Sequence, residues 1–321
     1  MPRVFLIDTD TASDDAVAML MALGSDDVRV PAITTVAGNV SLEQATRNAL
    51  YTVELCDSEV PVYPGASKPL SRRQQDATWF HGQDGLGDRG FRPQHRTAES
   101  KHAVDAVIDT IHANPGLTLV TLGPLTNIGL ALHREPGIVD KIGRAVIMGG
   151  NPCCEGNVTP AAEFNIWVDP EAARIVLHSG LRVELIGWQL CRGEAVLGPA
   201  EIDAVWNWNT PLARFAIESN SRAREALMTQ TGEDGICLPD PVAMGIALDP
   251  SIATAWGDHY VDVETRSELT RGMTVVDRLN VAADSRNRDI WSSLIGRPPN
   301  ARVCWTIDVA RWKELLFSFL R

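Results

Sequence analysis

Val4-Phe5-Leu6-Ile7-Asp8-Thr9-Asp10-Thr11-Ala12-Ser13-Asp14-Asp15 carries an apolar run straight into a group of four aspartates. An unbroken apolar run fits a parallel strand covered on both faces, and ligands of such sheets collect beyond the strands' carboxyl ends, where Asp8 and Asp10 stand. The stretch from Asp14 to Leu23 then reads as a helix closed by Gly24, with its acidic residues at the positive end of the helix dipole. The dipole offsets only part of the repulsion, since two unit charges about 4 Å apart repel by roughly 4 kcal/mol at an effective dielectric near 20. Carboxylates this crowded call for a hard divalent cation.

Outward from this stretch, strand and helix alternate. Val28 to Val36 is a second strand ending in Ala37-Gly38-Asn39, followed by a helix from about Ser41 to Cys56. The segment from Pro64 to about Glu99 is rich in Gly, Pro and charge and reads as a long irregular excursion, a length that tends to carry function. A helix from about Ser100 to Ala113, strands at Leu117 to Leu122, Ala145 to Met148 and Arg182 to Ile186, and a helix from Pro170 to Ser179 continue the alternation. The expected fold is α/β: a mostly parallel, doubly wound, Rossmann-like sheet with helices on both faces, in a single large domain over residues 1–321. The last third is less regular, with helices expected near Ala200 to Ser219, Asp240 to Leu248 and Val309 to Leu320, and antiparallel strands between about Ala253 and Val276.

A chain of 321 residues, 45% hydrophobic and 22% charged, has an ordinary soluble composition and the size of a globular enzyme. Its net charge of -12 argues against nucleic acid or an anionic membrane as partner, because both reward clustered Lys and Arg. No apolar run reaches transmembrane length, so the cytoplasm is the expected location. Six cysteines without a C-x-x-C pair or zinc spacing fit free thiols in a reducing compartment.

Two known motifs rival this reading of the acidic opening. An EF-hand loop needs Gly at its sixth position and Glu at its twelfth, which here are Ser13 and Met19. The haloacid-dehalogenase-like phosphatases share a strand followed by Asp-x-Asp-x-Thr/Val, but the fifth position here is Ala12. Thr121 could imitate their second motif, yet no acidic pair follows a later strand.

Further polar residues stand at other strand ends and turns: Asn39, His81, Asn157, Glu163 with Asn165, and Asp240 between two prolines. Each alone reads as a turn, a cap or a hydrogen-bonded structural residue. Together, Asp8-Thr9-Asp10 with Asp14-Asp15, Thr34-Thr35-Val36-Ala37-Gly38-Asn39, Gly123-Pro124-Leu125-Thr126-Asn127, Met148-Gly149-Gly150, Ala162-Glu163-Phe164-Asn165 with Asp169-Pro170-Glu171-Ala172, and Asp240-Pro241 closely resemble the inosine-uridine-preferring nucleoside hydrolases, in order along nearly the whole chain.

The resemblance implies hydrolysis of the N-glycosidic bond of ribonucleosides and a Ca2+ ion held by Asp10, Asp15, Asp240 and the backbone carbonyl of Thr126. It makes Asp10 the general base toward water on that ion. Asp14, Asn39 and Asn165 would hold the ribose 2′- and 3′-hydroxyls, Asn157 and Glu163 the 5′-hydroxyl side, and Asp8 would support the ligands from behind. His81 matches a family histidine near the base pocket, and Trp167 stands where the family usually has an aromatic residue near the sugar. The family is commonly dimeric or tetrameric, so a homodimer or homotetramer is expected. Many members carry His just before the late calcium-binding Asp as acid for the leaving base; here that residue is Pro239, which leaves base preference open. The segment from Ser219 to Gly235 is expected to form a flexible cover near the base pocket, with the excursion supplying a second wall through His81. Besides the phosphatase, the alternative is a non-catalytic ribose- or nucleoside-binding protein.

Overall fold

A computed structural model describes residues 2–287, 289–290 and 296–321. Among these, β1 (Arg3–Thr9), β2 (Val28–Thr35), β3 (Val62–Pro64), β4 (Leu117–Thr121), β5 (Ile142–Met148), β6 (Val183–Ile186), β7 (Ala253–His259) and β10 (Ala301–Ile307) form one eight-stranded sheet, while β8 (Val261–Val263) and β9 (Thr274–Val276) pair as a separate hairpin. The order is β3-β2-β1-β4-β5-β6-β10-β7. Every pairing in it is parallel except β10 with β7. The chain therefore winds outward in both directions from β1 and β4, and the crevice between their carboxyl ends is where such a sheet places its ligand.

Alternation along β1 divides the core. Phe5 and Ile7 point into one apolar layer with α1 (Ser13–Leu23), and Leu6 points into the other. The first layer also holds α2 (Leu42–Leu55), α8 (Pro199–Trp208), α9 (Pro211–Ser219), α11 (Pro239–Leu248) and α12 (Val309–Leu320). The second is built on α4 (Ala103–Ala113), α5 (Thr126–Arg134) and α7 (Pro170–Leu177). From Asp240 onward every residue of α11 is buried, so this helix is a central element rather than an amphipathic cover, and it packs against α1, which is buried from Ser13 to Ala22. Both helices start at the same end of the sheet. That packing brings Asp14, Asp15 and Asp240 together.

The remaining helices frame the site: α3 (Thr78–His81), α6 (Phe164–Val168) and α10 (Ser221–Thr231). The single helix expected from Ala200 to Ser219 is two, because Asn209 takes a left-handed conformation with φ 59° and Pro211 starts the next helix. The cover expected from Ser219 to Gly235 is mostly the helix α10, ended by Gly232 at φ 77°. The excursion is irregular as expected, except for α3, and Glu54 fastens its far end by accepting the backbone N–H groups of Gln94, His95 and Arg96. No helix among the described residues is long and apolar enough to cross a membrane, and all six cysteines are free.

Candidate active site

The floor is the β1–α1 junction. Asp8, Asp10 and Asp15 are fully buried and Asp14 nearly so. Asp15 occupies the third position of α1 and accepts the N–H of Ala12 at 2.9 Å, closing the helix start, while Thr9 Oγ1 donates to its other oxygen at 2.6 Å. Asp10 Oδ2 accepts the Asn39 N–H at 2.5 Å. Gly38 and Gly123 stand so close that a Cβ on either would overlap the Asp10 carboxylate. These two strand-end turns set the position of that side chain.

One layer back, Thr34 Oγ1 and Asn127 Nδ2 donate to Asp8 Oδ1 at 2.5 and 2.8 Å. Asn127 also donates to the Thr35 carbonyl and accepts the N–H of Ala66 at 2.9 Å. Its neighbour Thr126, at the start of α5, donates through Oγ1 to Asp169 at 2.7 Å, and the same Asp169 oxygen accepts the Leu70 N–H at 2.9 Å. Thus two consecutive residues of one turn hold both the acidic strand and the base of the excursion.

Asp14, Asp15 and Asp240 each offer an oxygen, and the three atoms lie within 4.8 Å of one another. Asp10 is not one of that trio, whose third member is Asp14. Oxygens of Asp8, Asp10, Asp14 and Asp240 are buried without a hydrogen-bond partner among the described residues. An orphaned buried carboxylate oxygen is costly, and one cation would satisfy several at once. The all-oxygen donor set fits a hard divalent cation such as calcium or magnesium.

The electrostatics of the cluster agree. Burial, and after it the charge of Asp15, lifts Asp14 to about 8. Burial lifts Asp8 to about 7 against the hydrogen bonds from Asn127 and Thr34. Asp10 and Asp240 are also raised, first by burial and next by Asp15. His81 moves the other way: burial lowers it to about 3, so its ring is neutral. The 3.8 Å approach of His81 Nδ1 to Asp14 Oδ1 is therefore no ion pair; the partner of Nδ1 is Ser13 Oγ at 2.8 Å.

Above this floor a cavity opens, walled on the excursion side by Phe80 and His81 and on the other by Trp188, Cys237 and Pro239. Asn157, Glu163 and Asn165 line it as well. Asn165 donates to the Leu122 carbonyl at 2.9 Å, which leaves its own oxygen free for a ligand. Glu163 caps α6 and accepts from the N–H groups of Gly150, Asn165 and Ile166. Asn157 accepts the Phe164 N–H, leaving its amide N–H groups available. Trp167 sits behind this wall, with the Arg271 guanidinium 3.9 Å from its ring centre and Gly272 against its backbone. Sequence reasoning missed Ser13, Trp188 and Cys237. Ser13 lies inside the acidic stretch, but its partner is 68 residues away and nothing local announces the pair.

Residues 5–314 match the profile of the inosine-uridine preferring nucleoside hydrolases. This chain belongs to that family. It is 38% identical to the inosine-uridine preferring nucleoside hydrolase of Leishmania major over 86% of this chain and 88% of that one. It is 36% identical to the pyrimidine-specific ribonucleoside hydrolase of Escherichia coli over 95% and 93%. A plant nucleoside hydrolase superposes with a TM-score of 0.90 at 30% identity, covering 100% of this chain and 99% of that one. The protein is thus a nucleoside hydrolase, an enzyme acting on N-glycosyl compounds, and the phosphatase reading falls. Nucleoside hydrolases are metal-dependent, and in this chain Asp14, Asp15 and Asp240 form a group that could hold an ion.

Proposed function

We propose that this nucleoside hydrolase is a calcium-dependent ribonucleoside N-ribohydrolase in which Asp10 is the general base. The observation that carries the reading is the set of buried, unpartnered aspartate oxygens at the floor of a cavity with an aromatic wall. Asp10, Asp15, Asp240 and the Thr126 carbonyl would hold the ion, with Asp14 close enough to share it. A bound calcium supplies charge neutralisation and acidifies water in reach of Asp10. Asp10 Oδ2 is tied to Asn39, so the unpartnered Oδ1 is the atom left to accept a proton from the attacking water.

Asp14, Asn39 and Asn165 then hold the 2′- and 3′-hydroxyls, and Asn157 and Glu163 the 5′-hydroxyl. Breaking the bond to the base builds positive charge on the ribosyl ring, and the surrounding carboxylates and amide oxygens favour that state over the neutral substrate. Pro239 brings no proton to the departing base, and His81, held neutral, offers a hydrogen bond rather than a ready proton. The relatives' names include inosine and uridine or pyrimidine preferences, and the base this chain prefers stays open among purine, pyrimidine and modified bases.

Incubation with mixed ribonucleosides and calcium tests the reading. Reducing sugar with free base and no phosphate is the expected outcome. Tight nucleoside binding without products would make the chain a binding protein instead. We also read the enzyme as a cytoplasmic homodimer or homotetramer; exposed Leu269 and Leu279 beside the β8–β9 hairpin support association between copies, which light scattering measures.

A further inference from the structure

The cavity has a neighbour. Between α3 and α10 lies a cleft of about 400 Å³, and Trp79 and Gln230 line both this cleft and the reaction cavity. Arg222, Asp88 and Glu225 line the outer cleft and pair with one another, Arg222 to Asp88 at 3.3 Å and to Glu225 at 2.9 Å. Trp79 is 58% exposed, so part of its indole is open to solvent where it lines the cleft. Its ring is edge-on to Phe80 at 5.4 Å, and Phe80 is edge-on to His81 at 4.9 Å. Three consecutive aromatic rings therefore run from the cavity floor to the open cleft.

We propose that the outer cleft is a subsite for a substituent on the nucleobase, so that the preferred substrates are ribonucleosides whose base carries a bulky, flat or apolar group. The inference rests on the ribohydrolase reading above, because the acidic floor must hold the sugar for the base to lie toward the aromatic wall. With the diol on the aspartates, a base leaving past His81 and Phe80 directs its far edge toward Trp79. There a flat group stacks on the exposed indole. The single Arg222 guanidinium against the carboxylates of Asp88 and Glu225 leaves the cleft with one net negative charge, which disfavours a phosphate or other anionic substituent.

The test compares kcat/KM for matched pairs with calcium present: N6-benzyladenosine against adenosine, 5-benzyluridine against uridine, and the 5′-O-benzyl ether of each nucleoside as a control. The benzylated base should be preferred by about tenfold in at least one pair, with no such gain for the 5′-ethers. That ratio should fall toward one both in Trp79→Ala, which removes the stacking face, and in Thr229→Trp, which fills the cleft from α10. Hydrolysis of the plain nucleosides with no gain on benzylating the base, a gain confined to the 5′-ethers, or a ratio untouched by both variants would each overturn the subsite while leaving the ribohydrolase reading intact. No release of base from any of these ribosides would remove that reading, and the subsite with it.

Discussion

Ser13 Oγ and His81 Nδ1 meet at 2.8 Å, joining the first turn of α1 to the excursion. With the ring neutral, one of these atoms donates to the other, and the bond fixes the direction in which the second ring nitrogen faces the cavity. Ser13→Ala should therefore raise KM for ribonucleosides by about tenfold, the loss of one positioned hydrogen bond. A nitrophenyl riboside, whose leaving group asks less of His81, should change by less than about threefold. Equal effects on both substrates would mean that Ser13 supports the fold and not the histidine.

Asp10→Ala should abolish nearly all turnover, a loss of at least the roughly 10²–10⁴ that a positioned base contributes. Asn165→Ala should lose less, since it removes one hydroxyl contact. Single-turnover rates in calcium-containing buffer check both, and near-normal activity of Asp10→Ala would assign the base elsewhere.

Without the cation, stability should depend on pH in a direction opposite to that of ordinary acid denaturation. Asp8 and Asp14 bind protons more tightly when folded, at about 7 and about 8 against 3.8. Their contribution is fully present below 3.8 and is lost as pH rises through about 7 and 8. In chelator, Tm should fall between pH 5 and pH 8. Calcium should reverse the fall, stabilising by about 2.7 kcal/mol at a hundredfold excess over Kd. Superimposable melting profiles with chelator and with calcium at pH 8 would show that the aspartates do not hold the ion.

Pro239 and the neutral His81 together predict dependence on the leaving group. Nitrophenyl riboside should turn over far faster than inosine, and Pro239→His should narrow the gap by supplying a protonatable ring. Similar turnover numbers for both substrates, with bond cleavage rate-limiting, would reveal an efficient proton donor that this reading lacks.

The parallel core was legible because an apolar run such as Val4 to Ile7 is a local signal of a strand buried on both faces. The strand β10 was not, since Ala301–Ile307 earns its place only by sliding between β6 and β7, a pairing between distant segments. The split at Asn209 lay in one left-handed residue before Pro211, easily read as a continuing helix. Within the site, the acidic cluster and the amide side chains stood out through their motifs, but their arrangement did not. That Asp14 joins Asp15 and Asp240 follows from α1 packing on α11, and that Trp167 faces Arg271 follows from where the hairpin lands.

Asn127 and Asp169 grip the excursion at Ala66 and Leu70 from 61 and 99 positions away. The wall that carries Phe80 and His81 is accordingly not a transferable cassette. A chimera that imports only the excursion from a relative would keep its register only where the recipient scaffold presents the same amide and carboxylate. Attempts to retune base preference by exchanging that loop should move these two anchor positions with it, because the specificity of the cavity is written partly into the sheet beneath.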